Sequence, residues 1–322
     1  MPRWSYLRFI SLPIILLICM LTACQPRTEI IQIGTNVWPG YEPLYLAEQY
    51  EFFPRQTRLV QYPSASEVLR AYRHDLIQMA AVTLDESLLL WQYQPDFQVI
   101  LLLDFSSGGD VLLGNPGLNS IQALRGRRVG VENTALGAYM LFRSLEHHNL
   151  RPEDVHVVAL EVDGHESAYL SGSVDALITF EPVKSRLMKR GARVLFHSGQ
   201  IEGEIVDVLI CRSRLINQNP EAVQQVVAGW YRAIEYQKKY PHEVAPLLAA
   251  RESISADEYL NALEGLKFPD PGSSHALLSG TNPQLFSTYS RIIDFLGQRG
   301  ELKQEMPAAT QFFRSDFVKQ SQ

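Results

Sequence analysis

Short apolar runs alternate with amphipathic helical patterns along most of the chain, and this alternation restricts the fold more than any other feature. Apolar runs bounded by turn residues predict strands, and the apolar spacing between the runs predicts helices. The predicted strands are 30–34, 57–62, 77–82, 97–103, 109–114, 128–131, 155–160, 175–180, 192–196 and 204–212. The predicted helices between them are 43–50, 66–74, 86–93, 135–148, 165–172 and 181–190. The order is typical of βαβ units around mostly parallel sheets that are covered on both faces.

After Arg212 the pattern is almost wholly helical. A long amphipathic helix is predicted at 220–240, because Pro220 suits a first helical turn and Pro241 ends the pattern. Shorter helices are expected at 242–251, 255–264, 282–297 and 307–318.

The order of the elements predicts two α/β lobes. Lobe 1 is discontinuous, 29–110 plus 207–322, and lobe 2, 111–206, is inserted into it. Two strands then cross between the lobes and act as a hinge that closes over a ligand. Gly108 and Gly109 lie in the first crossing, where glycine tolerates the dihedral changes that a hinge requires.

Residues 1–23 have the composition of a secretory signal peptide. Arginines precede an apolar stretch at 9–21, which is shorter than the about 20 residues that a membrane-spanning helix needs. The segment ends in Leu-Thr-Ala-Cys, which resembles the lipobox of bacterial lipoproteins. The resemblance implies cleavage before Cys24, a lipid on its sulfur, a short linker at 24–28 and an extracytoplasmic protein anchored to the membrane. The alternative is an ordinary cleavage site followed by a chance cysteine.

Charge and cysteine content exclude further classes of protein. The formal charge is −6, and removal of residues 1–23 makes it more negative because that segment contains arginines and no acidic residue. An acidic chain gains nothing from counterion release, so we expect no nucleic-acid partner. Cys19 leaves with the signal peptide and Cys24 would carry the lipid, so Cys211 has no partner for an internal disulfide. Cys211 lies in an apolar run and is predicted to be a buried small hydrophobic residue.

Four stretches resemble the nitrate/sulfonate/taurine-type substrate-binding proteins of ABC importers. They are IGTNVWPGY (33–41) with PLYLA (43–47), LRGRRVGV (124–131), GSVDA (172–176) and TFEP (179–182). The similarity covers roughly residues 30–210. It implies a periplasmic-binding-protein-like α/β fold of type II, with two doubly wound lobes joined by two crossover strands and followed by a helical C-terminal tail. It also implies a monomer that holds a small molecule between its lobes and delivers it to a membrane permease, without a cofactor or a metal.

Polar and aromatic residues that follow the predicted strands are the candidate ligand contacts, because ligands of open α/β sheets lie beyond the carboxyl ends of the strands. These residues are Asn36, Trp38, Tyr41, Thr83, Asp85, Asp104, Ser106, Asp110, Asn133, Thr134 and Glu181. Trp38 either forms an aromatic wall or plugs the space between the lobes, and Asp85 either contacts the ligand or caps a helix. Glu181 either faces the ligand or accepts hydrogen bonds from backbone N–H groups.

Acidic residues are the unusual feature of this candidate site. Asp85, Asp104, Asp110, Glu132 and Glu181 all fall near the expected cleft, and no lysine precedes Lys184. Nitrate or a simple sulfonate does not suit a site rich in carboxylates without compensating charge. We therefore favour a ligand that bears an amine, cationic or zwitterionic, held by a carboxylate and an aromatic ring. A sulfonate-like ligand is the alternative, and in the resembled family the turn at 133–134 touches the ligand's anionic group.

Two other functions compete with transport. The same fold serves as a ligand-sensing partner of membrane receptors such as kinases or cyclases. It also resembles the thiamine-pyrimidine synthases, enzymes that need a Schiff-base lysine and a histidine cluster. The absence of lysine before Lys184 and the scattered histidines argue against catalysis, so we expect no catalytic residues.

The lipid anchor predicts a simple effect of substitution at Cys24. Cys24→Ser removes the thiol that takes the lipid, so the protein should move from the membrane fraction to the soluble fraction. Cell fractionation followed by immunoblotting measures this. An unchanged membrane fraction would contradict the anchor.

Overall fold

The computed structural model describes residues 30–319, and from Ile31 onward these residues form one compact unit. Its strands are β1 (Ile31–Thr35), β2 (Thr57–Gln61), β3 (Met79–Thr83), β4 (Phe97–Ser106), β5 (Val111–Gly114), β6 (Arg128–Glu132), β7 (His156–Leu160), β8 (Ala176–Thr179), β9 (Arg193–His197), β10 (Val206–Arg212) and β11 (Leu266–Lys267). The signal peptide, Cys24 and the linker predicted at 24–28 lie outside the described residues.

The α-helices of residues 30–319 cover the sheets and form the C-terminal region. They are α1 (Glu42–Gln49), α2 (Ala65–Arg73), α3 (Leu84–Trp91), α4 (Ala135–Glu146), α5 (His165–Leu170), α6 (Val183–Met188), α7 (Ser213–Gln218), α8 (Pro220–Lys239), α9 (Pro241–Glu252), α10 (Ala256–Leu263), α11 (Pro271–Leu278), α12 (Gln284–Gln298), α13 (Ala309–Phe312) and α14 (Asp316–Lys319). Across this described part, every helix falls short of the combined length and apolar character that a bilayer-spanning segment requires.

The strands form two mixed sheets. A six-stranded sheet has the order β11-β4-β10-β3-β1-β2, and a five-stranded sheet has the order β7-β6-β8-β5-β9. The pairs of β1 with β2 and β3, and of β6 with β7 and β8, are parallel, whereas β10 and β5 are antiparallel to both of their neighbours. Because β4 runs with β1 to β3, and β9 with β6 to β8, the prediction of mostly parallel sheets holds for strand direction, but it missed that β5 and β10 run against the strands beside them. The reason is that β5 and β10 arrive from the other sheet, so they enter against the direction that the βαβ connections set.

The chain passes between the sheets twice, as the sequence predicted. The first passage runs from β4 to β5 and the second from β9 to β10, so the strands of the five-stranded sheet all lie between 111 and 197. This division is what the predicted lobes, 29–110 plus 207–322 and 111–206, require. The exact lobe boundaries stay a prediction.

Hydrogen bonds tie the two passages to one another. The hydroxyls of Ser106 and Ser198 lie 2.8 Å apart, and the Gly108 N–H donates to Ser198 Oγ (2.7 Å). The Ser106 N–H donates to the carbonyl of Ile205 (3.1 Å), and the Ser198 N–H donates to the carbonyl of Asp110 (2.9 Å). Gly108 has a φ of +125°, which only glycine adopts readily. The passages therefore form one bonded joint between the sheets.

The core is centred on three neighbouring strands of the six-stranded sheet. Every residue of β3 and of β10 is buried, and β4 is buried along most of its length. Cys211 in β10 has no exposed surface, which confirms the prediction of a buried small residue, and burial raises the pKa of its thiol. Both faces of this sheet are covered, in agreement with the continuous apolar character of its strands.

The predicted helix at 220–240 is confirmed as α8. Asn219 caps it by accepting a hydrogen bond from the Ala222 N–H (3.2 Å), and Pro220 occupies its first turn. The predicted helix at 307–318 is instead divided into α13 and α14. Phe313 is extended and bridges to Val99 of β4, so tertiary pairing overrides the helical pattern there. The short elements α7, α11 and β11 were not predicted.

The bonded joint predicts a cost for removing one hydroxyl. Ser198→Ala deletes the acceptor of the Gly108 N–H and the partner of the buried Ser106 hydroxyl, so it should lower the free energy of unfolding by about 1–3 kcal/mol. Urea denaturation measures this value. Ser290→Ala, at an exposed helical position whose hydroxyl bonds to its own helix, is the matched control and should change stability little. Equal effects of the two substitutions would contradict the joint.

Candidate ligand-binding site

A cavity lies between the two sheets, and residues around both sheets form its wall. We call it the inner cavity, and its lining residues are Asn36, Trp38, Tyr41, Ala65, Thr83, Glu86, Asp110, Glu132, Leu136, Phe180 and Asp207. The volume of the inner cavity is about 20 Å³. A volume of this size holds roughly one group as large as a water molecule. In this conformation the inner cavity therefore accommodates a group of the size of an ammonium.

The loop after β1 brings two aromatic side chains to the cavity. The Trp38 indole N–H donates a hydrogen bond to Asp104 Oδ2 (3.2 Å), and the Tyr41 hydroxyl donates one to Asp207 Oδ1. Position 40 requires glycine, because an added Cβ would lie 1.9 Å from Asp104 Oδ2. These contacts hold both rings against carboxyl groups of the six-stranded sheet.

Trp38 also joins the two halves of the molecule. Its side chain is only 5% exposed and meets Phe180 edge to face, with ring centroids 5.8 Å apart. Phe180 directly follows β8 of the five-stranded sheet. Trp38 therefore does both things that the sequence analysis considered: it lines the cavity as an aromatic wall, and it fills space between the two sheets. Its contact with a ligand stays a prediction.

Two aspartates lie side by side at the centre of the six-stranded sheet. Asp207 of β10 pairs with Asp104 of β4 on one side and with Thr83 of β3 on the other. Residues directly opposite one another in antiparallel strands share a face and lie about 4.5–5.5 Å apart. The sequence interpretation missed Asp207, although a single acidic residue within the apolar run 205–211 was a signal that could have identified it.

The start of α3 supplies a third carboxylate. The Thr83 N–H donates to Glu86 Oε2 (3.1 Å), so Glu86 takes the capping role that was considered for Asp85. Thr83 and Glu86 line the inner cavity, whereas Asp85 is buried without lining it. Glu86 was not among the predicted ligand contacts.

The five-stranded sheet supplies two more carboxylates. Asp110 lies at the start of β5, where its backbone N–H donates to Ser106 Oγ (3.1 Å), and its side chain lines the cavity. Glu132 ends β6 and also lines the cavity. Both side chains are buried, at 3% and 5% exposed. Carboxylates therefore face the inner cavity from both sheets.

Burial makes these carboxyl groups hold their protons more tightly than usual. It raises the pKa of Asp110 to about 6 and that of Asp85 to about 7. It raises the pKa of Asp104 and of Glu132 to about 8, with Asp110 adding to the effect in both cases. A buried carboxylate is costly because a low-dielectric surrounding disfavours charge. These groups become fully ionised only above neutral pH or beside a cation.

Glu86 and Asp207 are also held protonated. Burial raises the pKa of each well above the usual range, and a second carboxyl group adds to the effect, Asp85 for Glu86 and Asp104 for Asp207. Within residues 30–319, four buried oxygens of these carboxyl groups have no hydrogen-bond partner, namely Asp85 Oδ2, Glu86 Oε1, Asp104 Oδ1 and Glu132 Oε1. The lining residues include neither lysine nor arginine. A cation placed in the inner cavity would supply both the missing charge and the missing donors.

Three predicted contacts are engaged elsewhere. The Ser106 hydroxyl bonds to Ser198 and to the Asp110 N–H and does not line the cavity. Glu181 Oε2 accepts a hydrogen bond from the Ser185 N–H (3.0 Å), and its Oε1 lies 3.2 Å from Lys184 Nζ, so Glu181 binds the first turn of α6. Asp104 lies behind Trp38 rather than on the cavity surface.

Asn133 and Thr134 line a second, larger space. We call it the outer groove; it lies between α4 and β7 on one side and the C-terminal part of α12 with residues 299–303 on the other, and it also includes Leu89 and Tyr93. Thr134 caps α4 by accepting a hydrogen bond from the Gly137 N–H (3.2 Å). Glu132 lines the inner cavity and the outer groove alike.

Comparison with known protein families identifies the family of this chain. The family described as NMT1/THI5 like matches residues 39–244. This chain belongs to that family. The periplasmic-binding-protein-like α/β fold and the resemblance to nitrate/sulfonate/taurine-type binding proteins are thereby confirmed.

Individual members of the comparison show how far the similarity extends. The taurine-binding periplasmic protein of Escherichia coli (strain K12) is 22% identical over 310 residues, which is 91% of this chain and 94% of that protein. The alkanesulfonate-binding protein SsuA from Xanthomonas axonopodis pv. citri, solved with MOPS bound, has a TM-score of 0.73 and 18% identity, and the match covers 87% of this chain and 96% of that one. The desulfurization enzyme DSZB has a TM-score of 0.67 and 18% identity over 90% of this chain and 98% of its own. The fold therefore serves binding proteins and an enzyme.

The buried carboxyl groups predict how stability depends on pH. A carboxyl group whose pKa is raised by folding stabilises the protein below its unfolded pKa of about 4, and this stabilisation is lost as the pH rises toward the folded value. Asp104→Asn keeps an acceptor for the Trp38 N–H and removes the ionisable group. Its stability relative to the wild type should therefore rise by about 1–3 kcal/mol between pH 5 and pH 8, as measured by urea denaturation.

Asp257→Asn is the matched control, because Asp257 is exposed on α10. Its stability relative to the wild type should not vary over this pH range. A pH-independent effect of Asp104→Asn would show that Asp104 does not hold its proton in the folded protein.

Proposed function

We propose that this protein is a lipid-anchored extracytoplasmic solute-binding protein. It captures a small organic molecule that bears an amine, cationic or zwitterionic, and delivers it unaltered to an ABC permease. One observation carries this proposal: the inner cavity is lined by four carboxyl groups and by no basic side chain among the described residues, and the four are Glu86, Asp110, Glu132 and Asp207.

The cavity offers an ammonium group two kinds of contact. An ammonium has three N–H donors, and the free oxygens of Glu86 and Glu132 are acceptors without other partners within residues 30–319. The rings of Trp38, Tyr41 and Phe180 form part of the same wall, and aromatic faces attract cations. Charge-assisted hydrogen bonds and the aromatic rings would together select a cation over a neutral molecule.

Buried carboxylates elsewhere in the described residues support the proposal by contrast. Glu204 accepts hydrogen bonds from Arg143 Nε (2.7 Å), and Glu42 accepts one from Arg251 Nε (2.7 Å). The fold thus supplies arginine to carboxylates that it buries for structure. Glu252, buried outside the inner cavity, has no such hydrogen bond, and burial raises its pKa to about 9, so it is held protonated. The carboxyl groups around the inner cavity differ because they adjoin a space that a cation can enter.

The names of the relatives are compatible with a zwitterion. Taurine, named for the Escherichia coli relative, carries an ammonium and a sulfonate. In this chain the N-terminus of α4 at Asn133 and Thr134 lines the outer groove, where its N–H groups and positive dipole end suit an anionic group. A zwitterion would then place its amine in the inner cavity and its anionic group at this turn.

A matched pair of small molecules tests the preference for a cation. Ethylamine and ethanesulfonate share the same alkyl group and differ in the sign of the head group. Calorimetric titration should detect binding of ethylamine and not of ethanesulfonate, with taurine as a zwitterionic third compound. Asp207→Asn, which keeps an acceptor for Tyr41, should weaken the binding of ethylamine at least tenfold, while Asp257→Asn should not.

Ethylamine binding should also depend on pH. Its ammonium stays charged up to about pH 9, as a lysine does, whereas Asp110 and Glu132, which line the cavity, ionise as the pH rises through about 6 and 8. The affinity should therefore increase between pH 6 and pH 8. If ethanesulfonate bound and ethylamine did not, the proposal of an amine ligand would be wrong. If the ligand were recovered chemically altered, the proposal that the protein binds its ligand without catalysis would be wrong.

A further inference from the structure

The inner cavity is too small for a whole organic ligand in this conformation. The volume of the inner cavity is about 20 Å³, whereas the volume of the outer groove is about 810 Å³. The first volume suits an ammonium alone. Any carbon skeleton attached to that ammonium must leave the inner cavity.

The outer groove adjoins the inner cavity at a shared residue, Glu132. Glu132 lines both spaces, and one of its carboxyl oxygens has no hydrogen-bond partner within residues 30–319. The first turn of α4 also borders both, because Leu136 lines the inner cavity while Ala135 and Ala138 line the outer groove. An amine that binds Glu132 is therefore next to the end of the groove.

The floor of the outer groove is apolar. Phe142 of α4 and Phe295 of α12 pack together there, with ring centroids 5.1 Å apart. Val157 and Ala159 of the edge strand β7 face the same groove, and Val157 is 53% exposed. A large aliphatic side chain left this open on a strand, inside a groove that adjoins a polar cavity, is suited to an apolar ligand body.

We infer that the ligand is an amine joined to an extended apolar body, with the ammonium in the inner cavity and the body along Phe142, Val157 and Ala159 in the outer groove. This inference rests on the proposed function and adds the class of the substrate. It distinguishes the site from one for short, wholly polar amines, which would leave the groove floor exposed to water.

A series of n-alkylamines from ethylamine to hexylamine tests the inference by calorimetric titration of the full chain at pH 8. Each added methylene buried in the groove should tighten binding about threefold to fourfold. Ala159→Trp places a large ring at an exposed position of the groove floor. It should weaken the binding of hexylamine at least tenfold, with progressively smaller losses for shorter amines, and thus flatten the series.

His156→Trp is the matched control. His156 is exposed on the same strand, and successive residues of a strand face opposite sides of a sheet, so its ring lies away from Ala159. This variant should bind the series as the wild type does, and thermal melting should show that both variants fold. The inference would be overturned if the affinity did not change with the length of the alkyl chain. It would also be overturned if the affinity of the Ala159→Trp variant rose with chain length as steeply as that of the wild type. In both cases binding of ethylamine would still support the proposed function. Failure of every amine to bind would overturn both.

Discussion

The burial of carboxyl groups without basic partners, between two sheets, is the constraint on which this structure depends. Asp104 and Asp207 lie opposite one another on β4 and β10, in the most deeply buried part of the six-stranded sheet. Hydrogen bonds from Trp38 and Tyr41 offset part of the cost, and retained protons offset more. The apolar strands around them must supply the remaining stability. Such a local cost is typical of a site that is completed by its ligand.

The joint between the sheets explains how carboxylates from both can face one cavity. Ser106, Gly108 and Ser198 bind the two crossing segments together, and Asp110 follows at once on the first of them. Lys184 donates to the carbonyl of Gly108 and pairs with Glu181; its charge lowers the pKa of Asp110, but its side chain does not line the cavity. The cavity wall therefore carries carboxyl groups and no basic side chain among the described lining residues. The same arrangement favours an ammonium ligand.

Much of the fold was predictable because local patterns decide it. The strands β1 to β10 and helices such as α4 and α8 follow apolar spacing, capping residues and prolines, all of which act within a few residues. The errors arose where distant segments interact. Phe313 leaves the helical pattern to bridge to Val99, and β5 and β10 run antiparallel to their neighbours because each enters its sheet directly from the other sheet.

The sequence alone determined the family, the alternation of strands and helices, and the placing of Asn36, Trp38, Tyr41, Thr83 and Asp110 at strand ends, where the structure finds them lining the inner cavity. Only the tertiary structure decided which acidic groups share that cavity. In the tertiary structure Asp207 also lines the inner cavity, and Glu181 instead accepts a hydrogen bond from the Ser185 N–H. Asn133 and Thr134 line the outer groove. The physical reason is that strand ends are set by local chemistry, whereas the direction of a side chain depends on the register of strands that are far apart in sequence.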